Sequence, residues 1–208
     1  MEFASEMVVK AGLVGLKISE VPTTLHRDGR SRAPHLRTWR DGWRHLRFLL
    51  LYSPRWLFLY PGIAATLIGF LISLWLLPSQ RNIGRLYFDV DTLTYAIGLM
   101  LIGVHVCVFA VSAKVFGTRQ GFLPPNPQFE KLFRYVKLET GLLVGFVLLL
   151  VGFSTMLYSF EMWHRAQFGP LSATYMLRLT LPAAASLMLG FEVIFASFFL
   201  SLLGMEYR

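Results

Sequence analysis

The sequence is poor in cysteine and in charged residues. Its single cysteine, Cys107, excludes a scaffold held together by disulfides. Only 15% of the 208 residues are charged, whereas 55% are hydrophobic and 15% are aromatic, which excludes a disordered chain and an ordinary soluble domain. The composition therefore indicates a membrane protein.

Sequence signatures of several enzyme classes are missing as well. The chain has no glycine-rich phosphate loop, no His-Glu-x-x-His zinc motif and no serine or cysteine nucleophile motif. Four histidines are too scattered to form a zinc site, namely His26, His35, His45 and His164. We therefore expect this chain to bind no metal or other cofactor by itself.

Four long hydrophobic runs dominate the chain. They cover residues 57–77, 93–116, 141–160 and 181–204. A helix of about 20 apolar residues is about 30 Å long, which matches the hydrocarbon core of a bilayer. One such run alone could be a buried helix of a soluble protein, but four of them in 208 residues predict a four-span membrane domain over residues 57–208.

Basic residues are distributed unevenly around these runs. The chain has 20 Lys and Arg against 12 Asp and Glu, a net charge of +8. Sixteen of the basic residues lie before the first span, around the loop of residues 117–140 or at the C-terminus, and four lie on the other side. Because basic loops stay on the cytoplasmic side, we expect both termini and this loop to be cytoplasmic. In a bacterium the protein would then be integral to the inner, cytoplasmic membrane.

The first 32 residues have the pattern of part of a larger domain. Apolar residues three or four positions apart predict a helix over residues 1–20, and an alternating pattern interrupted by Pro22 predicts an edge strand over residues 18–25. One helix and one strand bury too little apolar surface to be stable alone. We therefore expect residues 1–32 to be the C-terminal end of an α/β domain.

An arginine-rich loop follows this helix and strand. Arg27, Gly29, Arg30, Ser31 and Arg32 lie within six residues. A guanidinium group forms two parallel hydrogen bonds to phosphate oxygens. Glycine allows the backbone to approach the phosphate closely, and a serine hydroxyl adds a hydrogen-bond donor. The composition fits a solvated turn as well as a phosphate site.

Residues 33–56 predict an amphipathic helix, centred on residues 36–50, in which an apolar stripe and a basic stripe lie about 100° apart. Tryptophan rings and arginine side chains favour the headgroup layer, so we expect this helix to lie in the membrane interface. The alternative is that this helix packs on a soluble domain. Both interpretations hold if one face of the helix contacts lipid and another contacts protein. Nucleic acid is not an expected partner, because the span that follows keeps the helix at the membrane. The interface residues are Arg37, Trp39, Arg40, Trp43, Arg44 and Arg47.

The order of these features resembles the C-terminal part of family 2 polyprenyl-phosphate glycosyltransferases, the dolichol-phosphate mannosyltransferase-like enzymes. The resemblance covers roughly residues 1–60. It is carried by Phe3-Ala4-Ser5-Glu6-Met7, Glu20-Val21-Pro22, the loop from Arg27 to Arg32 and the segment Arg37-Thr38-Trp39-Arg40-Asp41-Gly42-Trp43-Arg44. Arg32 stands where the family usually has lysine, and the spacer between Arg27 and Gly29 is shorter than in the mannosyltransferases.

This resemblance implies a GT-A-like α/β transferase domain in front of a membrane anchor. The implied reaction transfers a sugar from a nucleotide donor to polyprenyl phosphate at the cytoplasmic face, with Mg²⁺ or Mn²⁺. It also implies that Arg27, Ser31 and Arg32 contact the lipid phosphate and that Glu6 orients groups in the active site. The donor-binding half, with its metal-binding Asp-x-Asp, would precede Met1. We therefore expect the chain alone to be inactive, with membrane lipid, polyprenyl phosphate and a transferase domain, or a partner supplying that domain, as its partners.

One Asp-x-Asp sequence does occur, at Asp89-Val90-Asp91. Two carboxylates at this spacing suit a divalent cation bound to a diphosphate. The motif lies in the loop assigned to the far side of the membrane, just before an apolar run, where an N-cap at Asp91 explains it. We expect no metal there.

Two ionisable residues lie near the middle of predicted spans, His105 in the second and Glu192 in the fourth. Such residues are costly in hydrocarbon and mark candidate functional sites. They could form a structural pair, take part in transport or make no contact. Lys114 and Arg178 lie near span ends, where we expect their side chains to reach out to the interface.

The loop of residues 117–140 also has a pattern. After Pro124-Pro125-Asn126-Pro127, apolar residues at helical spacing predict a short interfacial helix over residues 129–136. Together with the helix of residues 36–50 it would place basic side chains around the cytoplasmic ends of the spans.

The sequence thus predicts an α-helical membrane protein with four spans, which follow the last helix and strand of a truncated α/β domain and a juxtamembrane amphipathic helix. Its expected function is that of the membrane-anchored part of a glycosyltransferase. The alternatives are a small four-span protein that binds or flips lipid-linked sugars, and an accessory membrane subunit of a transferase.

Overall fold

A computed structural model shows a chain that is mostly helical. The structure describes residues 2–24, 29, 38–51, 55–120, 123 and 138–204. A five-residue π-helical turn, Arg55–Leu59, leads directly into the third helix, and a two-stranded hairpin connects the third helix to the fourth. In chain order the elements are α1 (Glu2–Leu13), α2 (Thr38–Leu51), α3 (Tyr60–Leu76), β1 (Arg81–Ile83), β2 (Leu86–Phe88), α4 (Val90–Arg119), α5 (Leu138–Arg165) and α6 (Ala173–Gly204).

All four predicted spans form helices that are long and apolar enough to cross a membrane. These segments are Arg55–Leu76, Val90–Arg119, Leu138–Arg165 and Ala173–Leu203. The helices extend beyond the hydrophobic runs, because a run marks only the part that lies in hydrocarbon, whereas the helix continues into the polar layer. At about 1.5 Å per residue, the 30 residues of α4 exceed the hydrocarbon thickness.

The four spans pack as two helical hairpins side by side. Helix α3 packs against α4, α5 packs against α6, and α4 contacts α6 between the two hairpins. We call the end of the bundle with β1 and β2 the hairpin end and the opposite end the terminal end, since four spans return the chain to its starting side. Helices α4 and α6 are therefore the central pair.

Glycines allow the helices within each hairpin to approach closely. A methyl group added to Gly103 of α4 would clash with the backbone nitrogen of Thr66 in α3. In the second hairpin, one added to Gly145 would lie 2.8 Å from the carbonyl oxygen of Gly190. In a bilayer, where burial of apolar surface does not drive helix association, such close backbone contact supplies much of the packing energy.

The most deeply buried side chains lie near the hairpin end. Leu76, Leu93, Ile97 and Ala185 form a cluster where α3, α4 and α6 meet. Most other large apolar side chains of the spans are exposed on the protein surface, as expected where lipid is the neighbour.

Helix α1 is shorter than the predicted helix of residues 1–20. It ends in a Schellman motif, in which the N–H of Leu16 donates to the carbonyl of Ala11 and that of Gly15 to Gly12. Gly15 takes the left-handed conformation that this motif requires, with φ of 75°. The glycine therefore ends the helix seven residues early.

The edge strand predicted over residues 18–25 does not form in the described part of that segment. Residues 16–24 have no regular secondary structure. A strand needs a neighbour to accept its backbone hydrogen bonds, and the sheet found within the described residues is the hairpin of β1 and β2. The alternating pattern alone does not supply that neighbour.

Candidate functional site

His105 and Glu192 meet between the two central helices. The imidazole Nδ1 of His105, on α4, lies 3.0 Å from Oε1 of Glu192, on α6. Both residues lie near mid-helix, so their contact occurs deep in the membrane. Of the alternatives that the sequence left open, absence of contact is therefore excluded.

The pair faces outward into a groove rather than into the helix bundle. The His105 side chain is 73% exposed and that of Glu192 is 28% exposed. The groove has a volume of about 540 Å³ and is otherwise apolar. It is lined by Leu101, Ile102, His105, Val106, Met188, Leu189, Phe191, Glu192 and Phe195. Its floor is the α4–α6 contact and its mouth opens to the surrounding membrane.

A second polar contact lies at the hairpin end and was missed by the sequence analysis. Arg178 of α6 binds Asp89 with an Nη2–Oδ1 distance of 2.5 Å, and its Nη1 donates to the carbonyl oxygens of Leu76 and Leu77. The two side chains are only 13% and 22% exposed. Arg178 thus binds free carbonyls at the end of α3 as well as a carboxylate at the start of α4.

This contact corrects two expectations. Arg178 does not extend to the interface, because its guanidinium is satisfied inside the protein. The N-cap position of α4 is held by Asp89 instead of Asp91, and the Asp89 side chain makes no capping bond. Asp91 lies in the first turn, where a carboxylate interacts favourably with the helix dipole. Asp89 and Arg178 lie at the same end of two neighbouring spans and therefore at a similar depth in the membrane. This match, which is visible in the sequence, could have revealed the pair.

Lys114 also differs from its expected place. Only 8% of the residue is exposed, and it interacts with other parts of the chain. The packing of α4 near the terminal end covers this side chain, so it does not extend outward as predicted from its position alone.

The N-terminal candidates are only partly described. Glu6 lies in α1, whereas Arg27, Ser31, Arg32 and Arg37 lie outside the described residues, as does the predicted helix of residues 129–136. Their roles therefore stay predictions.

Helix α2 has the predicted amphipathic pattern. It begins at Thr38 and ends at Leu51, inside the predicted segment of residues 33–56 and within two residues of the striped part, residues 36–50. Trp39 is 90% exposed, Trp43 is also exposed, and so are Arg40 and Arg44. Arg47 belongs to the same helix. Large indole rings and arginines thus lie on the surface of α2, four residues before the first membrane-spanning segment.

Comparison with known proteins agrees with this architecture. Residues 111–204 match the family described as the glycosyltransferase family 2 C-terminal transmembrane region. The chain is 33% identical over 207 residues to the low-salt glycan biosynthesis hexosyltransferase Agl6 of Haloferax volcanii. That match covers 98% of this chain and 48% of the relative, so the chain spans about half of the relative's length.

No solved structure is significantly similar to the chain. The family match covers α5, α6 and the end of α4, and the hexosyltransferase match continues through the N-terminal helices and loop. Together with the four membrane helices, these similarities show that the chain belongs to glycosyltransferase family 2, as a C-terminal membrane part.

Proposed function

We propose that this chain forms the membrane-anchored part of an enzyme that transfers a sugar from a nucleotide donor to polyprenyl phosphate. The observation that carries the proposal is α2, with its exposed Trp39 and Trp43 directly before four membrane helices of the family 2 type. Such a helix in the headgroup layer holds the chain at the depth of a lipid phosphate. A soluble acceptor would not require this arrangement.

In the proposed reaction, an oxygen of the lipid phosphate attacks the anomeric carbon of the sugar and inverts its configuration. The bond to the nucleoside diphosphate breaks, and cationic groups stabilise the charge on the departing diphosphate. Arg27, Ser31 and Arg32 hold the acceptor phosphate by charge-assisted hydrogen bonds, and Glu6 orients groups beside it. These residue roles rest on the family resemblance.

A divalent cation is expected in the whole enzymes of this family. The described residues contain no group of three potential metal ligands, and Asp89 of the single Asp-x-Asp motif binds Arg178. The described part of this chain therefore does not fit the cation. The proposal assigns donor and metal binding to a transferase domain outside these 208 residues, in the same polypeptide or in a partner.

The proposed reaction takes place on the cytoplasmic side of the membrane. The excess of Lys and Arg around the termini and in residues 117–140 supports this orientation. The terminal end of the bundle would then be cytoplasmic, and the β1–β2 hairpin would face the opposite compartment.

Binding of polyprenyl phosphate to the full chain in lipid nanodiscs tests the proposal. We expect the double variant Arg27→Ala/Arg32→Ala to lose affinity by roughly tenfold or more, because charge-assisted hydrogen bonds to the phosphate are lost. The matched control is Arg81→Ala/Arg85→Ala, which removes the same charge at the exposed hairpin and should bind normally. Polyprenol, which lacks the phosphate, should bind weakly to all three proteins.

Two results would contradict this assignment. An equal loss of affinity in both double variants would show that general electrostatic attraction, and not a site at Arg27 and Arg32, binds the lipid phosphate. Equal affinity of the wild-type chain for polyprenol and polyprenyl phosphate would show that no phosphate site exists.

A further inference from the structure

The His105–Glu192 pair leaves two hydrogen-bonding groups facing the groove. Only Nδ1 of the imidazole and one carboxyl oxygen are engaged with each other. Within the described part of the chain, no residue bonds to Nε2 of His105 or to Oε2 of Glu192. The exposed fraction of His105, 73%, places its free edge at the mouth of the groove.

The protonation of this pair determines what it presents to a neighbour. A net charge in hydrocarbon is strongly disfavoured, so the pair is neutral as a whole. If imidazolium faces carboxylate, Nε2 carries a proton. If instead the protonated Glu192 donates to Nδ1, the single ring proton must again be on Nε2. In these two states His105 presents a donor and Glu192 presents an acceptor beside it. If instead Nδ1–H of His105 donates to Glu192 protonated on Oε2, the two roles are exchanged, and the pair still presents one donor and one acceptor.

Lipid tails can satisfy neither group. Hydrocarbon has no donor or acceptor, and each polar group left unpaired at this depth is destabilising. An acyl or isoprenoid chain in the groove would fill its apolar part but leave both groups without partners. The occupant must therefore supply an acceptor and a donor at the same depth.

A second copy of this chain has these properties. Two copies inserted in the same direction are related by an axis along the membrane normal, which keeps every residue at its own depth. The donor on His105 of each copy then faces the acceptor on Glu192 of the other, and the same contact occurs twice. The remaining lining, which includes Ile102, Met188 and the stacked rings of Phe191 and Phe195, provides apolar surface around this centre.

We infer that the groove between α4 and α6 is a dimer interface, in which two copies exchange hydrogen bonds between His105 and Glu192. The donor and the acceptor of one copy match the acceptor and the donor of the other, as a two-fold contact requires. It does not depend on the proposed sugar transfer, and it uses a face of the bundle that α3 and α5 leave uncovered.

Association of the full 208-residue chain in liposomes tests this inference. A fluorophore attached to a cysteine in place of Arg85, in a Cys107→Ser background, reports the dimer fraction by single-molecule photobleaching at several protein-to-lipid ratios. We expect His105→Phe to raise the apparent dissociation constant at least tenfold, because both reciprocal hydrogen bonds are lost. Glu192→Gln should stay within about threefold of wild type, because the amide can donate to Nδ1 and accept from Nε2.

Further variants separate loss of the interface from loss of folding. His105→Leu/Glu192→Met removes both polar groups and leaves none unpaired, so it should fold and remain monomeric. The control Glu161→Gln changes an exposed ion pair with Arg165 outside the groove and should dimerise normally.

Cysteine cross-linking gives an independent readout of the interface. A cysteine at Ile102, in the groove, should cross-link between copies, whereas one at Phe153, an exposed residue of α5, should not. His105→Phe should abolish the cross-link at position 102.

The inference would be overturned by a wild-type chain that stays monomeric at all ratios, or by equal cross-linking at both positions. A monomer that retains a lipid in the groove, detected by native mass spectrometry, would identify a lipid occupant and overturn it too. Dimers that persist in the His105→Leu/Glu192→Met variant would show that the pair is not at the interface.

Discussion

Arg178 connects three helices through one guanidinium group. It belongs to α6, binds Asp89 before α4 and donates to the last carbonyls of α3. Its positive charge also lies at the C-terminal end of the α3 dipole, where a cation is favoured. A side chain with these contacts contributes to the relative positions of the three helices.

We expect Arg178→Met to lower the free energy of unfolding by about 3 kcal/mol, because it leaves a mostly buried carboxylate without its partner. Reversible unfolding in mixed micelles measures the change. Arg178→Met/Asp89→Asn should recover part of the loss, since no charge is then left unpaired. The control Arg85→Met, at the exposed hairpin turn, should change stability by less than about 0.5 kcal/mol. Equal losses in Arg178→Met and Arg85→Met would contradict the buried contact.

At the scale of the helices, close approach at glycine determines how the hairpins pack. Gly103 faces the backbone and hydroxyl of Thr66 and the carbonyl of Gly62 across the α3–α4 contact. Backbone atoms cannot move aside as a flexible side chain can, so an added methyl group forces the two helices apart. Gly98, on the same helix, has open space around it.

Gly98 and Gly103 of α4 therefore make a matched pair for mutagenesis. Gly103→Ala should destabilise the protein by about 1–3 kcal/mol through overpacking. Gly98→Ala should be neutral or stabilising by up to about 1 kcal/mol, because alanine favours the helix without a clash. Thermal unfolding of the reconstituted proteins measures both changes. Similar losses for the two variants would show that helix packing at Gly103 is not close.

Helix ends also depend on single turns of the backbone. Helix α5 ends in a Schellman motif in which Phe168 donates to the carbonyl of Trp163 and Gln167 to that of His164. The Phe168 ring packs against Trp163 with centroids 4.9 Å apart. Gln167 adopts the left-handed conformation, with φ of 53°, that glycine usually supplies. The apolar contact between Phe168 and Trp163 thus stabilises a chain reversal that the sequence did not predict, because no glycine marks the left-handed position.

At the scale of the whole molecule, the four spans form two helical hairpins side by side, and their orientation in the membrane is a prediction. The basic residues predict which end of the bundle is cytoplasmic, and labelling tests this prediction in a Cys107→Ser background. A membrane-impermeant maleimide added to intact cells should label cysteines at Arg85 and Ser172, on the two connections at the hairpin end. A cysteine at Lys17 should be labelled only after permeabilisation, because the N-terminal segment is expected inside. The reverse pattern would contradict the cytoplasmic assignment of the termini.

Several features of this protein were predictable because they are local. The number of spans depends on how each segment partitions between water and hydrocarbon, and each segment does so largely by itself. The amphipathic helix α2 follows from the spacing of its apolar and basic residues in the same local way. The edge strand predicted over residues 18–25 does not form within residues 18–24, because an alternating pattern alone does not supply the neighbouring strand on which its stability depends.

Local residue patterns alone account for the four membrane helices, the amphipathic helix that precedes them, and the position of His105 and Glu192 near the middle of their spans. Three contacts arise only when distant segments pack: α4 lies against α6, His105 meets Glu192 across 87 positions, and Arg178 meets Asp89 across 89. The physical reason is that lipid solvates each span separately, so hydrophobicity does not specify which helices touch. That choice depends on glycine surfaces and on polar groups at matching depths, which come together only when distant segments pack.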